Sequence, residues 1–268
     1  MPTDWLPIAG FWLLLLALFA AELAWPMRRG QAEGGGRLVT NFGLAAINVL
    51  LLSLLPLSAV IAAQWSRESG FGLLPRLGVG GVAAIVLTLA ARSLAGYALH
   101  RAAHRWQLLW RVHKVHHCDA AVDLTTGLRH HPLELLYVAS LVALLAAGLG
   151  LSPEAVAVYE AAAVGFSLWS HANAGLPPAL DRALRLLVVT PAAHSVHHSA
   201  AQVETDSNYG EVFTFWDRLF GTYNRMSPAQ AATLRCGLGD AEDASAGRLH
   251  VQLCAPLLVA RHRQMPKV

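Results

Sequence analysis

The chain reads as an all-α integral membrane protein: about four membrane-crossing helices, or three with a helical hairpin, carrying a helical cap on one side. Three observations predict this. Of its 268 residues, 55% are hydrophobic and only 14% are charged, whereas a soluble domain is about 25% charged. The apolar residues fall in blocks close to the roughly 20 residues that a helix needs to cross the hydrocarbon layer. And the histidines gather where those blocks end, with five of the thirteen between His100 and His117.

The first block, 8–25 (IAGFWLLLLALFAAELAW), has tryptophans toward both ends, where interfacial aromatics belong. No basic segment precedes it and no small-residue cleavage site follows, so it reads as a span and not as a leader. The second, 41–64, contains Pro56, which a membrane helix tolerates when neighbours satisfy the freed carbonyl. The third, 79–99, carries Arg92, a charge that must snorkel, pair or face the protein interior. Segments 133–151 and 153–169 meet at GLGLSP and predict a hairpin over 133–169. The remainder, 100–132 and 171–268, forms the cap of a single membrane-embedded domain covering 1–268. The late apolar stretch VQLCAPLLVA is too short to span.

Basic residues orient the spans. Arg28, Arg29 and Arg37 follow the first span and Arg101, Arg105, Arg111 and Lys114 follow the third. Arg182, Arg185, Arg218 and the terminal RHRQMPK follow the hairpin. All fall on one side, which places the histidines and the C-terminus in the cytoplasm of what reads as a bacterial inner membrane. The net charge of +3, with no block of like charge, excludes a nucleic-acid arm. Cys118, Cys236 and Cys254 have neither CxxC spacing nor an even count. They exclude a disulfide scaffold and a thiolate zinc site and fit a reducing compartment.

Residues three or four apart share a helix face. His100 and His104 are four apart, and His113, His116 and His117 can point one way. From His104 to His113 the helix turns about half a turn out of phase, so the chain must bend near WQLLW. His194, His197 and His198 repeat HxxHH behind Pro191, a residue suited to a first helical turn. His131 in HHPLE and His171 in WSHAN bring the set to ten. A single interfacial histidine is ordinarily an amphipathic side chain, and His130, His250 and His262 are read that way. Ten at repeated spacing are read as metal ligands, because crowded imidazoles without a metal repel when charged and lose solvation when neutral. Imidazole suits Fe, Cu, Zn and Ni, and the count suits two ions.

The motifs HRAAH, HKVHHCDAAVDLTTGLRHHPLE, TPAAHSVHHS and ETDSNYGEVFTFWDRLFGTY resemble those of the fatty acid hydroxylase/sterol desaturase family of membrane di-iron oxygenases, in family order from about Tyr97 to Tyr223. The resemblance implies a four-helix membrane base and a cytosolic di-iron centre. That centre would use O2 as co-substrate to hydroxylate or desaturate a C–H bond of a sterol-like or fatty-acyl lipid. Electrons would come from a separate donor of the ferredoxin or cytochrome type, and zinc could replace iron in an overexpressed sample. It implies His100, His104, His113, His116, His117, His194, His197 and His198 as ligands, with His171 where members place another. Ser93 stands where members often carry aspartate, Cys118 where serine is common, and His130 where an aromatic is common.

Ligating imidazoles are usually oriented by carboxylates. Asp119, Asp123, Glu134, Asp206, Asn208 and Glu211 are the candidates for that support. Asn208, Tyr209 and Gly210 also read as the turn covering the site. Competing functions are a carotenoid or ether-lipid monooxygenase and, from another class, a membrane metal-binding or transport protein. Against transport, the histidines lie beyond the apolar spans and not at mid-membrane.

Overall fold

The computed structural model describes residues 6–29, 36–239 and 243–257, and among these it is helical without a strand. Its long helices are α1 (Leu6–Ala24), α2 (Arg37–Leu54), α3 (Ala59–Ser69), α5 (Gly81–Arg105), α7 (Pro132–Leu149) and α8 (Pro153–His171), with the short α4 (Leu73–Arg76) after α3. The cap is built from α6 (Gln107–His117), a 3₁₀ turn at Leu124–Leu128, and α9 (Pro178–Leu184), α10 (Pro191–His197), α11 (Gln202–Thr205), α12 (Phe215–Leu219), α13 (Pro228–Ala231) and α14 (Leu249–Cys254). Three helical stretches, Arg37–Arg76, Gly81–Arg105 and Pro132–Leu149, are long and apolar enough to cross a membrane. The protein is an integral membrane protein.

The hairpin of α7 and α8 follows from its punctuation. Gly150, at φ 68°, ends α7 in the left-handed conformation that glycine adopts freely. Ser152 then caps α8 by accepting from the Ala155 amide, and Pro153 opens its first turn. The helix α8 is less apolar than its partner because it lies at the centre, in contact with α1, α3, α5 and α10. α1 keeps Trp12, Leu13, Leu16 and Phe19 exposed on its outer face, as a lipid-facing helix should.

The second span differs from its sequence reading in two ways. Helix α2 ends at Leu54, and Leu55 is extended (φ −114°, ψ 139°) ahead of Pro56, because a residue before proline is driven from the helical region. The chain resumes as α3, packed on α7 and α8, so the second span is broken into two helices. Its start at Asn41 is also corrected. Asn41 is fully buried in the cap, donating to Asp119 and Thr125 and accepting from Arg129. The first turns of α2 are therefore cap structure, with Leu44 packed on Val115 and Ala255.

Arg28 and Arg37 are structural too. Arg28 donates to Ser195 Oγ at 2.7 Å and to the Val122 carbonyl. Arg37 pairs with Asp119 and Asp123. Both are buried. His262 and the terminal RHRQMPK lie outside the described residues. The chain breaks between α5 and α6 at Trp106 (φ −107°, ψ 119°), inside the region where the phase of the histidines demands a bend.

Candidate metal centre

Nine of the ten predicted ligands converge in two groups. One holds His100, His104, His113, His117 and His197; the other holds His116, His171, His194 and His198, with one nitrogen per residue inside 4.8 Å of the rest. Both HxxHH motifs are divided between them, while His100 and His104 of HxxxH stay together. In an α-helix residues i and i+4 lie about 40° apart and i and i+3 about 60° apart on the other side. His113 and His117 therefore face one group while His116 faces the other. The second HxxHH divides in the opposite sense: His194 and His198 enter the four-nitrogen group and His197 crosses to the five. The expectation that His113, His116 and His117 point one way is corrected accordingly. The break at Trp106 lets α6 fold back so that His100 and His104 meet His113 and His117.

The Nδ1 atoms fix which nitrogen faces inward. His100 Nδ1 bonds the Tyr209 carbonyl at 2.8 Å, His116 Nδ1 the Arg129 carbonyl at 3.1 Å, His171 Nδ1 the Ser167 carbonyl at 2.6 Å and His197 Nδ1 the Ser207 carbonyl at 2.8 Å. A carbonyl only accepts, so each of these rings carries its proton on Nδ1 and presents a bare Nε2. The inward Nε2 atoms then approach one another: His116–His171, His171–His194 and His171–His198 at 3.0 Å, His104–His117 at 3.1 Å and His113–His117 at 3.2 Å. For His116 and His171 this sets two lone pairs face to face, which is repulsive unless a cation lies between.

Protonation is not that remedy at His116, since burial and then the neighbouring rings push its pKa well below the ordinary value. Two nitrogens about 2.1 Å from one ion lie about 3.0 Å apart at a right angle and about 3.4 Å apart at the tetrahedral angle. The observed spacings of 3.0 to 3.2 Å are short enough for the nitrogens to share one ion, and groups of four and five imidazoles fit a metal.

Support for the rings comes mostly from carbonyls. Of the candidate carboxylates, Glu134 Oε1 bonds His113 Nδ1 at 2.6 Å and Asp206 lies 3.4 Å from His104 Nδ1. The others are placed elsewhere. Asp119 accepts from Arg37, Asn41 and Thr126, and Asp123 caps the 3₁₀ turn. Burial alone would raise the Asp119 pKa, but Arg37 and Arg129 hold it below the usual carboxylate value. Asn208, at φ 54°, donates to the Ala193 carbonyl and accepts from the Asn224 amide, shaping the turn over α10. Glu211 pairs with Arg92.

His131 is corrected. Its Nδ1 caps α7 by accepting from the Leu133 amide at 3.1 Å, and its Nε2 bonds the Leu253 carbonyl at 3.1 Å. Both nitrogens are occupied and it joins neither group. Its neighbour His130, which the sequence reading set aside, stacks on His116 with centroids 4.6 Å apart and lies 3.7 Å from Glu134. Only the i,i+4 relation of His130 to Glu134 could have signalled this. Arg129 was also missed. It is fully buried, bonding the Val115 and Ala246 carbonyls, Asn41 and Cys118, while its own carbonyl orients His116.

A cavity of about 420 Å³ opens against both groups, touching His100, His113, His116, His171 and His194, and extends between α2, α5, α7 and α8 along Val49, Leu52, Leu135, Val138 and Val164.

A profile described as Fatty acid hydroxylase matches residues 85–222. The chain is 31% identical over 129 residues to an alkylglycerol monooxygenase of Homo sapiens, covering 47% of this chain and 27% of that protein. It is 32% identical over 141 residues to an ornithine lipid hydroxylase of Rhizobium tropici, covering 52% and 41%. With a very-long-chain aldehyde decarbonylase of Oryza sativa it shares 31% over 152 residues, covering 54% and 24%. The chain therefore spans between 24% and 41% of the length of these relatives. No solved structure matches it.

Proposed function

The chain belongs to the fatty acid hydroxylase family, and from that premise we propose that it is an O2-dependent, histidine-bound di-iron oxygenase that hydroxylates or desaturates a C–H bond of a membrane lipid. The observation that carries this reading is the pair of buried imidazole groups facing one apolar cavity. With O2, an iron pair supplies the oxidising power that an unactivated C–H bond demands and that zinc lacks.

The protein's own residues do the rest. His100, His104, His113, His117 and His197 would hold one ion, and His116, His171, His194 and His198 the other. Glu134, bonded to His113, increases the basicity of that ring. Val49, Leu52, Leu135 and Val138 line the space where an alkyl chain would lie and exclude water from it. Cys118 stays a thiol, its pKa pushed up by burial to about 11, and does not compete as a ligand. A separate protein of the ferredoxin or cytochrome type would deliver electrons at the cytoplasmic face of a bacterial inner membrane, where Arg101 and Arg105 follow the third span.

The transport alternative is weaker because the histidine groups lie at one end of the bundle, where α5 and α8 end and α7 begins. An ether-lipid monooxygenase is the second reading, supported by the alkylglycerol monooxygenases of human and zebrafish among the relatives. The test is to supply the purified, iron-loaded protein with reductant, isotope-labelled O2 and a membrane lipid extract. Label in a hydroxylated lipid supports hydroxylation, an oxidised lipid without label supports desaturation, and reductant-dependent O2 uptake with no lipid product defeats both.

A further inference from the structure

Two residues of the cavity wall face outward as well as inward. Among the residues that line it, only Val49 on α2 and Val164 on α8 are exposed, at 67% and 50%. Each lies at the edge of an exposed apolar stripe, with Phe42 and Leu50 beside Val49, and Val158 and Ala161 beside Val164. Around the cavity α2 packs on α7, α7 on α5 and α5 on α8, but α2 and α8 have no packed interface, so the ring of helices is open on that side. Helix α1 packs on α8 without closing the gap: Leu14 approaches Gly165 and Leu18 clusters with Leu168, while Val164 stays half exposed.

The gap is bounded at both ends. On the histidine side the 3₁₀ turn at Leu124–Leu128 packs on both α2 and α8. Asn41 donates to Thr125 at 2.9 Å, and Ser167 Oγ donates to the Gly127 carbonyl at 3.0 Å, an approach that a Cβ on Gly127 would block. At the other end α3 returns to α8, with Ala63 packed among Ala146, Leu151 and Val156. The break ahead of Pro56 thus separates an α2 that stands off α8 from an α3 that lies on it. Val164 is seven residues before His171 and Val49 eight after Asn41, or about 10 and 12 Å along their helices. Half of the hydrocarbon layer is about 15 Å deep, so the gap lies at the level of the acyl chains in the histidine-side leaflet. Its edges are apolar: Glu160, one turn beyond Val164, is tied to Arg92 at 2.7 Å.

We propose that this gap is a lateral portal: the alkyl chain of a lipid resident in the histidine-side leaflet passes between Val49 and Val164 into the cavity, so that substrate is taken from the bilayer and not from water. A chain that follows this route stays in apolar surroundings throughout, whereas one that left through water would expose every methylene. The exposed faces of α2 and α8 run without interruption into the cavity wall at these two residues, which is the continuity such a transfer needs. The proposal rests on the lipid-oxygenase reading above and gives Val49 and Val164 the role of gating its substrate.

Photolabelling of the full-length protein in nanodiscs tests this without turnover. The probe is a phosphatidylcholine with a diazirine at mid-chain, a lipid that does not leave the bilayer through water. Crosslinks are mapped to Leu99 and Leu128 in the cavity and, as the reference, to Leu13 and Leu16 on the outer face of α1. The wild type should be labelled at both. In the Val49→Trp, Val164→Trp double variant the cavity label should fall about ten-fold, the factor that a modest steric clash commands, with the α1 label unchanged. Val164→Ala widens the opening and should raise the initial rate of cavity labelling. Val158→Trp, on the same helix but away from the cavity, should change neither. A wild type unlabelled in the cavity, a double Trp variant labelled like wild type, or an equal loss in Val158→Trp each overturns the proposal. If the double variant does not fold, Val164→Ala decides, and no gain in rate overturns it. Turnover is scored separately. Gated labelling with no lipid oxidation by the iron-loaded protein would overturn the oxygenase reading and leave the portal standing; undiminished oxidation by a folded double Trp variant would overturn the portal and leave the oxygenase.

Discussion

At the scale of single residues, the tautomer separates ligands from bystanders. A ring whose Nδ1 is tied to a carbonyl and whose Nε2 meets other Nε2 atoms is poised to ligate, and His116 and His171 are of this kind. His116→Ala should abolish turnover and lower the metal content from close to two ions per chain, read by elemental analysis. His131→Ala should leave metal content unchanged and cost about 1 kcal/mol of stability, because its ring caps a helix. The exposed His250 should be silent in both assays. Glu134→Gln keeps the shape beside His113 but removes the charge, and metal affinity should fall about ten- to a hundred-fold in a chelator competition.

At the scale of elements, the HxxHH helix is held from behind by one cation. Arg129 ties α6 to α2 through Val115 and Asn41 and reaches the segment before α14 through Ala246. Arg129→Met has comparable volume but would take the donor from Asn41 Oδ1 and the Ala246 carbonyl and leave the Val115 carbonyl only the weak Cys118 thiol. Since each buried orphan costs about 1–3 kcal/mol, the thermal transition should fall by the equivalent of roughly 3 kcal/mol or more. If the variant melted like wild type, α6 would be held by its histidines and not by this network.

At the scale of the molecule, the helix ends define a topology. The start of α7 and the ends of α5 and α8 share the histidine side, while the α7–α8 turn meets Gly72 on the other. Cysteine labelling in intact membranes should find residues 120 and 175 on one side and residue 70 on the other. Residue 175 reporting with residue 70 would mean that α7 and α8 cross only once. The metal-free protein should also be acid-labile. Burial first, and then neighbouring rings, hold His116, His117, His194, His197 and His198 neutral, with pKa values well below 6.5. The unfolded chain takes up protons as pH falls below about 6.5 while the folded one does not, so stability is present above that pH and is lost below it. Each ring contributes up to about 1.4 kcal/mol per pH unit. Melting in chelator from pH 7.5 to 5.5 should show a steep fall that added metal suppresses; a flat profile would mean the rings are not buried neutral.

The sequence by itself determined the helical membrane class, the hairpin, the need for a bend before α6 and nine histidines that meet in space, because hydropathy blocks, cap residues and i,i+4 spacing are local properties of the chain. It could not assign each histidine to its group. Within one turn of helix His116 and His117 point to different partners, and which group each joins depends on where α8 and α10 stand. Nor could it separate His130 from His131, adjacent residues whose roles are decided by the Leu253 carbonyl on one side and the ring of His116 on the other. The same holds for Arg37, which reads as a loop cation, and Asn41, which reads as the start of a span; both are buried in the cap. A polar residue at a helix end is satisfied either by water or by a partner about 80 residues away, and only the tertiary structure decides which.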